Sequence, residues 1–319
     1  MSDSYYGRPV LKPLVWEWPI AAYLFAGGLS AGSALLAAGA DLTGRPALRR
    51  SGRLGALASL AAGTYFLVAD LGRPERFHHM LRVAKPTSPM SVGTWLLAAY
   101  GPGIGLAAMN EVLPARFRRD RAARAAGVWA GLLAPAVASY PAVLFSQTAV
   151  PAWHDSHREL PFVFTGSAAA SAGGLGMVLA PVVEAGPARR LAVVGGVAEL
   201  LASRRMEHRP GVTSVSFRSG RAASLLTRAR VLTAVGVVGA AVLGRRSRVA
   251  SVVAGAALLA GGAYERLGVF EAGRASAVDP AQTVGPQRDR LQGGRSGAST
   301  STPRSQTHPN RDRPPGVSG

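Results

Sequence analysis

"PIAAYLFAGGLSAGSALLAAGA" (Pro19–Ala40) contains no charged side chain and is bounded by Glu17 and Asp41. Crossing a hydrocarbon core takes roughly 20 mostly apolar residues in helical form, so this stretch reads as a transmembrane helix. Its small residues add a second signal. Gly28 and Gly32 stand four apart, with Ala31 and Ser33 beside them. Helices in lipid associate through such small faces, because no hydrophobic drive separates one apolar surface from another.

The same pattern recurs outward from this stretch. Of the 319 residues 48% are hydrophobic and only 17% charged, and the charges cluster between apolar runs. A soluble domain of this size carries about a quarter charged residues. Further spans are expected at Leu54–Ala69, Val92–Met109, Ala125–Val150, Pro161–Val183, Leu191–Ala202, Val231–Leu243 and Val249–Tyr264. The expected fold is all-α, a polytopic membrane bundle of about eight helices. It comprises an extramembrane segment over 1–18, the bundle over 19–272 and a disordered polar tail over 273–319, where Gly, Ser, Pro, Gln and Arg take over. The first 18 residues lack the pattern of a cleavable signal peptide.

The formal net charge is +19, from 36 Lys+Arg against 17 Asp+Glu. These basic residues are spread over nearly every inter-helix loop and form no single basic face, which favours anionic lipid headgroups over nucleic acid as the partner. Eight spans put both termini on one side. The opposite loops hold 14 arginines in about 40 residues, whereas the terminal-side loops hold 14 Lys+Arg in about 78. The positive-inside rule then places the termini outside the cytoplasm. There are no cysteines, so the protein holds neither a disulfide nor a thiolate-bound iron–sulfur cluster. All six histidines fall outside the spans, which argues against a haem held between helices.

The chemically capable residues collect on the terminal side. "VWEW" (Val15–Trp18) precedes the first span, and "DLGRPERFHHMLRVAKPTSPMS" (Asp70–Ser91) joins spans two and three. "TAVPAWHDSHRELPFVF" (Thr148–Phe164) packs His154, Asp155, His157 and Glu159 into six positions. That cluster suits a metal site, an acid/base group or a polar docking loop. H-x-x-H aligns two rings only roughly, and a metal site needs further ligands, so no metal is expected. Glu199 interrupts an apolar run; it is either a buried functional carboxylate or an interfacial one paired with Arg204 or Arg205. Tyr140 and Gln147 are seven residues apart and share a helix face directed to the terminal side.

Four blocks, "YYGRPVLKPLVWEWPIAAYLFAGGLSAGSALLA", "DLGRPERFHHMLRVAKPTSPMSVGTWLL", "TAVPAWHDSHRELPFVFTGSAAASAGG" and "FEAGRASAVDPAQTVGPQRDRL", resemble the NrfD-like, polysulfide-reductase-type membrane subunits. The resemblance runs from Tyr5 to about Leu291. It implies a membrane subunit with no redox centre of its own: no haem and no iron–sulfur cluster. Such a subunit exchanges electrons and protons with menaquinone or ubiquinone and docks an iron–sulfur subunit leading to a molybdopterin oxidoreductase. The positions matching the family's quinone pocket are Trp16, Glu17, Tyr23, Asp70 and Tyr140. Where better-known members carry Asn and His near the start of the first helix, this protein has Trp-Glu-Trp. His154 and His157 join the set on chemical grounds, as proton-handling groups or docking contacts; Trp18 is expected to wall a headgroup and Gln147 to offer it a hydrogen bond. The expected proton carriers are Glu17, Asp70, His154 and His157. The expected location is the cell's inner or plasma membrane, and the competing class is a structural anchor without a quinone site.

Overall fold

The computed structural model describes residues 14, 16–71 and 73–282. Among these residues eight long helices form the bundle: α1 (Trp18–Leu42), α2 (Pro46–Ala69), α3 (Pro89–Val112), α4 (Asp120–Ser146), α6 (Leu160–Leu179), α7 (Gly186–Glu207), α9 (Gly220–Val238) and α10 (Arg248–Val278). Two short helices, α5 (Pro151–Asp155) and α8 (Val215–Arg218), lie in the connections, and a π turn extends α9 over Gly239–Leu243. Among the described residues there is no β-strand. Seven of the long helices are apolar enough to cross a membrane, counting α9 with its π turn. The eighth, α7, is long enough but carries charges at both ends and Glu199 within. The protein is a multi-pass membrane helix bundle.

Local signals set the helix boundaries. Pro stands in the first turn of α1, α2, α3, α6 and α7, where its missing N–H costs no hydrogen bond. Ser88 and Ser247 cap α3 and α10 by accepting the backbone N–H of Ser91 and Ala250. Gly44, at φ +66°, makes the tight turn between α1 and α2.

Several helices run past their uncharged cores. The second span begins at Pro46 rather than Leu54, because Arg49 and Arg53 fold inward. Arg53 is 3% exposed and reaches Asp41 and Glu111 at 2.9 Å each, while Arg49 donates to Glu111 at 2.8 Å. This four-charge network ties α1, α2 and α3 together at one end of the bundle. At the far end α10 continues to Val278, past the compositional change at Gly273, because this last stretch packs on α5: Gly273 lies against Trp153, and the buried Ser276 accepts the Ala152 N–H. The remainder of the expected tail lies outside the described residues.

Helix α6 sits centrally, packed against α1, α4, α7 and α10. Small residues bring the backbones close. A Cβ on Gly32 would lie 2.5 Å from the Ala168 carbonyl oxygen of α6. One on Gly173 would lie 2.5 Å from the Ala192 nitrogen of α7, and one on Gly174 2.6 Å from the Gly255 oxygen of α10. The Gly28/Gly32 pair is therefore a packing face, as its spacing indicates. Gly39, on the same helix, has nothing within 4 Å. Gly32→Ala should lower the stability of the detergent-purified protein by about 1–3 kcal/mol, since backbone cannot yield as a flexible side chain does. Gly39→Ala should leave it unchanged or slightly higher; paired thermal unfolding curves check the contrast.

Candidate functional site

At the end of the bundle where α1 begins, four segments converge: the entry to α1, the end of α2, the start of α3 and the end of α4. They enclose a cavity of about 110 Å³ whose walls include Trp16, Ile20, Tyr23, Asp70, Met80, Gly93, Leu97 and Tyr140. A single water needs about 10–15 Å³ measured this way, so the space holds a ring-sized molecule. Four residues singled out from sequence, Trp16, Tyr23, Asp70 and Tyr140, meet here.

Each is positioned by its element. Tyr23 lies one turn into α1 and is buried. Asp70 is the C-cap residue of α2, and its carboxylate accepts the Glu17 backbone N–H at 3.4 Å, which joins the α1 entry to the α2 end. Partial burial pushes the Asp70 carboxyl above its ordinary range; the Glu17 N–H opposes that rise and the Glu17 charge adds to it. Tyr140 is aimed across the cavity at α3. A Cβ on Gly93 would fall 2.0 Å from its Cζ and 2.3 Å from its hydroxyl, so the glycine leaves room for the phenol. Trp16 stacks on Phe145 at 5.9 Å, and Phe145 stacks on Trp153 at 4.0 Å. The result is two phenols and one carboxylate in a chamber that is otherwise apolar apart from Thr94, whose hydroxyl bonds the Met90 carbonyl; this is a donor–acceptor set suited to a flat molecule with polar oxygens.

The sequence matches the family description "Polysulphide reductase, NrfD" over residues 10–206, more than half of its length. The protein belongs to this family. Among curated relatives it is 37% identical over 95 residues to the C component of polysulfide reductase from Wolinella succinogenes, covering 28% of this sequence and 30% of the relative. It is 40% identical over 88 residues to the C component of selenate reductase from Mesobacillus selenatarsenatis, covering 27% and 20%. It is 37% identical over 99 residues to protein NrfD of Escherichia coli, covering 28% and 30%. The aligned stretches thus span less than a third of each relative's length.

The remaining residues singled out from sequence in this NrfD-family protein lie elsewhere. Trp18 is 60% exposed and packs edge-on against Phe66 in a separate apolar groove on the outer side of α1. Gln147 is exposed behind Tyr140, in a second hollow with Pro86 and Ser139. His154 and His157 are exposed, outside the cavity wall. Their Nδ1 atoms bond the carbonyl oxygens of Ser146 (2.8 Å) and His154 (3.0 Å). Their acidic neighbour Glu159 points inward and pairs with Arg209 at 2.9 Å and Arg205 at 3.7 Å. Among the described residues no three His, Asp or Glu side chains gather as a metal-binding group.

The largest buried side chain of that loop is Trp153, whose indole N–H donates to the Val269 carbonyl at 2.8 Å. Its sequence signal was hidden, because a Trp beside charged residues reads equally well as an interfacial anchor. Gly93 carries no local signal either, since its part depends on how α3 meets α4, and Met80 reaches the cavity from the turn Pro74–Leu81. The Gly93–Tyr140 contact makes a test. Gly93→Ala should destabilise the protein by about 1–3 kcal/mol, and adding Tyr140→Ala should recover much of that loss. Additive losses in thermal unfolding would show that the two residues do not share the space.

Proposed function

We propose that this protein is the quinone-reacting membrane subunit of a multi-subunit oxidoreductase, with the Tyr23–Asp70–Tyr140 cavity as its quinone site. The observation that carries the reading is the convergence of two phenols and a carboxylate in one apolar chamber at the bundle's end. Family membership supports it, as do relatives named as components of polysulfide and selenate reductases. In this reading the protein sits in the cell's inner or plasma membrane, termini outside. Its partners are an iron–sulfur subunit and, through it, a molybdopterin oxidoreductase. Menaquinone or ubiquinone is the exchangeable substrate.

Oxidising a quinol releases two electrons and two protons. The protein's task is to hold both ring oxygens and take up the protons. Tyr23 and Tyr140 offer hydroxyl hydrogen bonds to the oxygens. Asp70, held near Glu17 at the mouth, accepts a proton and hands it to solvent at the Trp16 end. Trp16 flanks the headgroup through its aromatic stack. Electrons leave towards a cluster in the docked partner. His154 and His157, on the outer surface of the same end, belong to the docking face along with the exposed turn Pro74–Leu81.

Tyr140→Phe and Asp70→Asn in the purified complex should each lower quinol-linked turnover by about tenfold to a thousandfold with assembly intact. The pH profile supplies a sign. A carboxyl that accepts a proton works only while ionised, so turnover falls as pH drops through the raised Asp70 pKa. Glu17→Gln removes the neighbouring negative charge and should move that acid limb to lower pH. A complex that binds no quinone analogue and is indifferent to all three substitutions would instead make the protein a structural anchor.

A further inference from the structure

A second set of ionisable side chains lies in the other half of the bundle, away from the cavity. Glu199 of α7 and Glu265 and Arg266 of α10 are only 2–3% exposed. In lipid such groups are costly unless matched in charge. Among the described residues the other buried carboxylates each face a guanidinium: Glu111, with Asp41 beside it, faces Arg49 and Arg53, Glu159 faces Arg209, and Glu207 faces Arg230. Here two carboxyl groups face one guanidinium. Of the helices packed around them, α1 and α6 bring no charge to this level, and α9 brings Arg230, held by Glu207, and Arg228, whose guanidinium lies 6.0 Å over the Tyr264 ring.

The polar atoms of the cluster are also incompletely engaged. Arg266 lies 3.9 Å over the Phe164 ring and donates Nη2 to the Phe164 carbonyl at 2.7 Å, leaving Nε and Nη1 without hydrogen-bond partners among the described residues. Among the same residues Glu199 Oε2 and the hydroxyls of Ser167 and Thr233 have none either. Arg204 and Arg205, the partners expected for an interfacial Glu199, do not pair with it. Glu265 is better held, accepting the Ser203 hydroxyl at 2.6 Å.

The spacing supplies a route outward. Glu199, Ser203 and Glu207 repeat every four residues, so they form one stripe on α7. At a rise of 1.5 Å per residue the stripe climbs about 12 Å. It ends where Arg230, half-exposed, holds Glu207 at the same end of the bundle as Trp16.

We propose that Glu199 and Glu265 share one proton inside the membrane and exchange it with the Trp16 end along the Glu199–Ser203–Glu207 stripe. With all groups ionised the pair and Arg266 would carry one uncompensated negative charge; one proton neutralises it. The proton leaves one carboxyl as the other, or Ser203 in relay, accepts it, so charge is conserved within the path. The bundle thereby has a proton-binding site that is separate from the Tyr23–Asp70 chamber and does not depend on quinone reacting there.

Infrared spectroscopy of the full-length protein in lipid nanodiscs tests this without quinone. At neutral pH the wild type should show a protonated-carboxyl C=O band that shifts in heavy water. Glu199→Gln and Glu265→Gln should each abolish it, because either leaves one carboxylate to one guanidinium. Ser203→Ala should keep the band but slow its deuterium exchange by about tenfold or more. No such band in the wild type would overturn the proposal, a measurement that stands even where a variant fails to fold. Persistence of the band in both Gln variants, or its loss in only one, would overturn the shared proton. Unchanged exchange in Ser203→Ala would overturn the route.

Discussion

In lipid no solvent presses helices together, so their approach depends on how closely backbones can meet. The approach that organises this bundle is that of α1 to the central α6, where Gly32 rests on the Ala168 carbonyl. From the same helix, Gly173 and Gly174 admit α7 and α10. With α1 held in this position, its Tyr23 faces the cavity and its Gly28 leaves space for the Arg266 guanidinium, 3.2 Å from where a Cβ would stand. One small-residue face thus serves both polar sites, which lie on different sides of it.

Asp70 and the charge network at the opposite end of the bundle use charge differently. At the Asp41–Arg53–Glu111 end, carboxylates and guanidiniums balance and their hydrogen bonds are formed. Such a network joins three helices and offers no vacant acceptor for chemistry. At the Trp16 end Asp70 accepts, among the described residues, one long backbone bond. A carboxyl so loosely held changes protonation at little structural cost, which is what proton exchange asks of it.

Much of this was legible in the sequence. Uncharged runs located the cores of the helices, and their number, because lipid tolerates few charges. The helix ends were not legible: Arg49, Arg53, Glu265 and Arg266 read as water-facing until their partners on other helices are known. Tyr23, Asp70 and Tyr140 were found through the family resemblance and a shared helix face. Gly93 was not, because a glycine facing a phenol leaves no local pattern. His154 and His157 drew attention by residue type, yet Trp153 beside them is the residue that packs. The buried stripe on α7 was visible only in part, since Glu199 stood out but its i+4 and i+8 companions looked like an ordinary helix end.

Trp153 also bears on the order in which the molecule is completed. Its ring belongs to α5, between α4 and α6, whereas its N–H partner, the Val269 carbonyl, comes from α10. Gly273 of that helix closes over the same indole, where a Cβ would fall 2.0 Å from the ring. A polypeptide inserted from its N-terminus therefore lays down the aromatic stack of Trp16, Phe145 and Trp153 before the element that seals it exists. Until α10 arrives, a buried donor stands unbonded and the rear of the stack is open. Helix α10 thus acts as the closing piece of this end of the bundle.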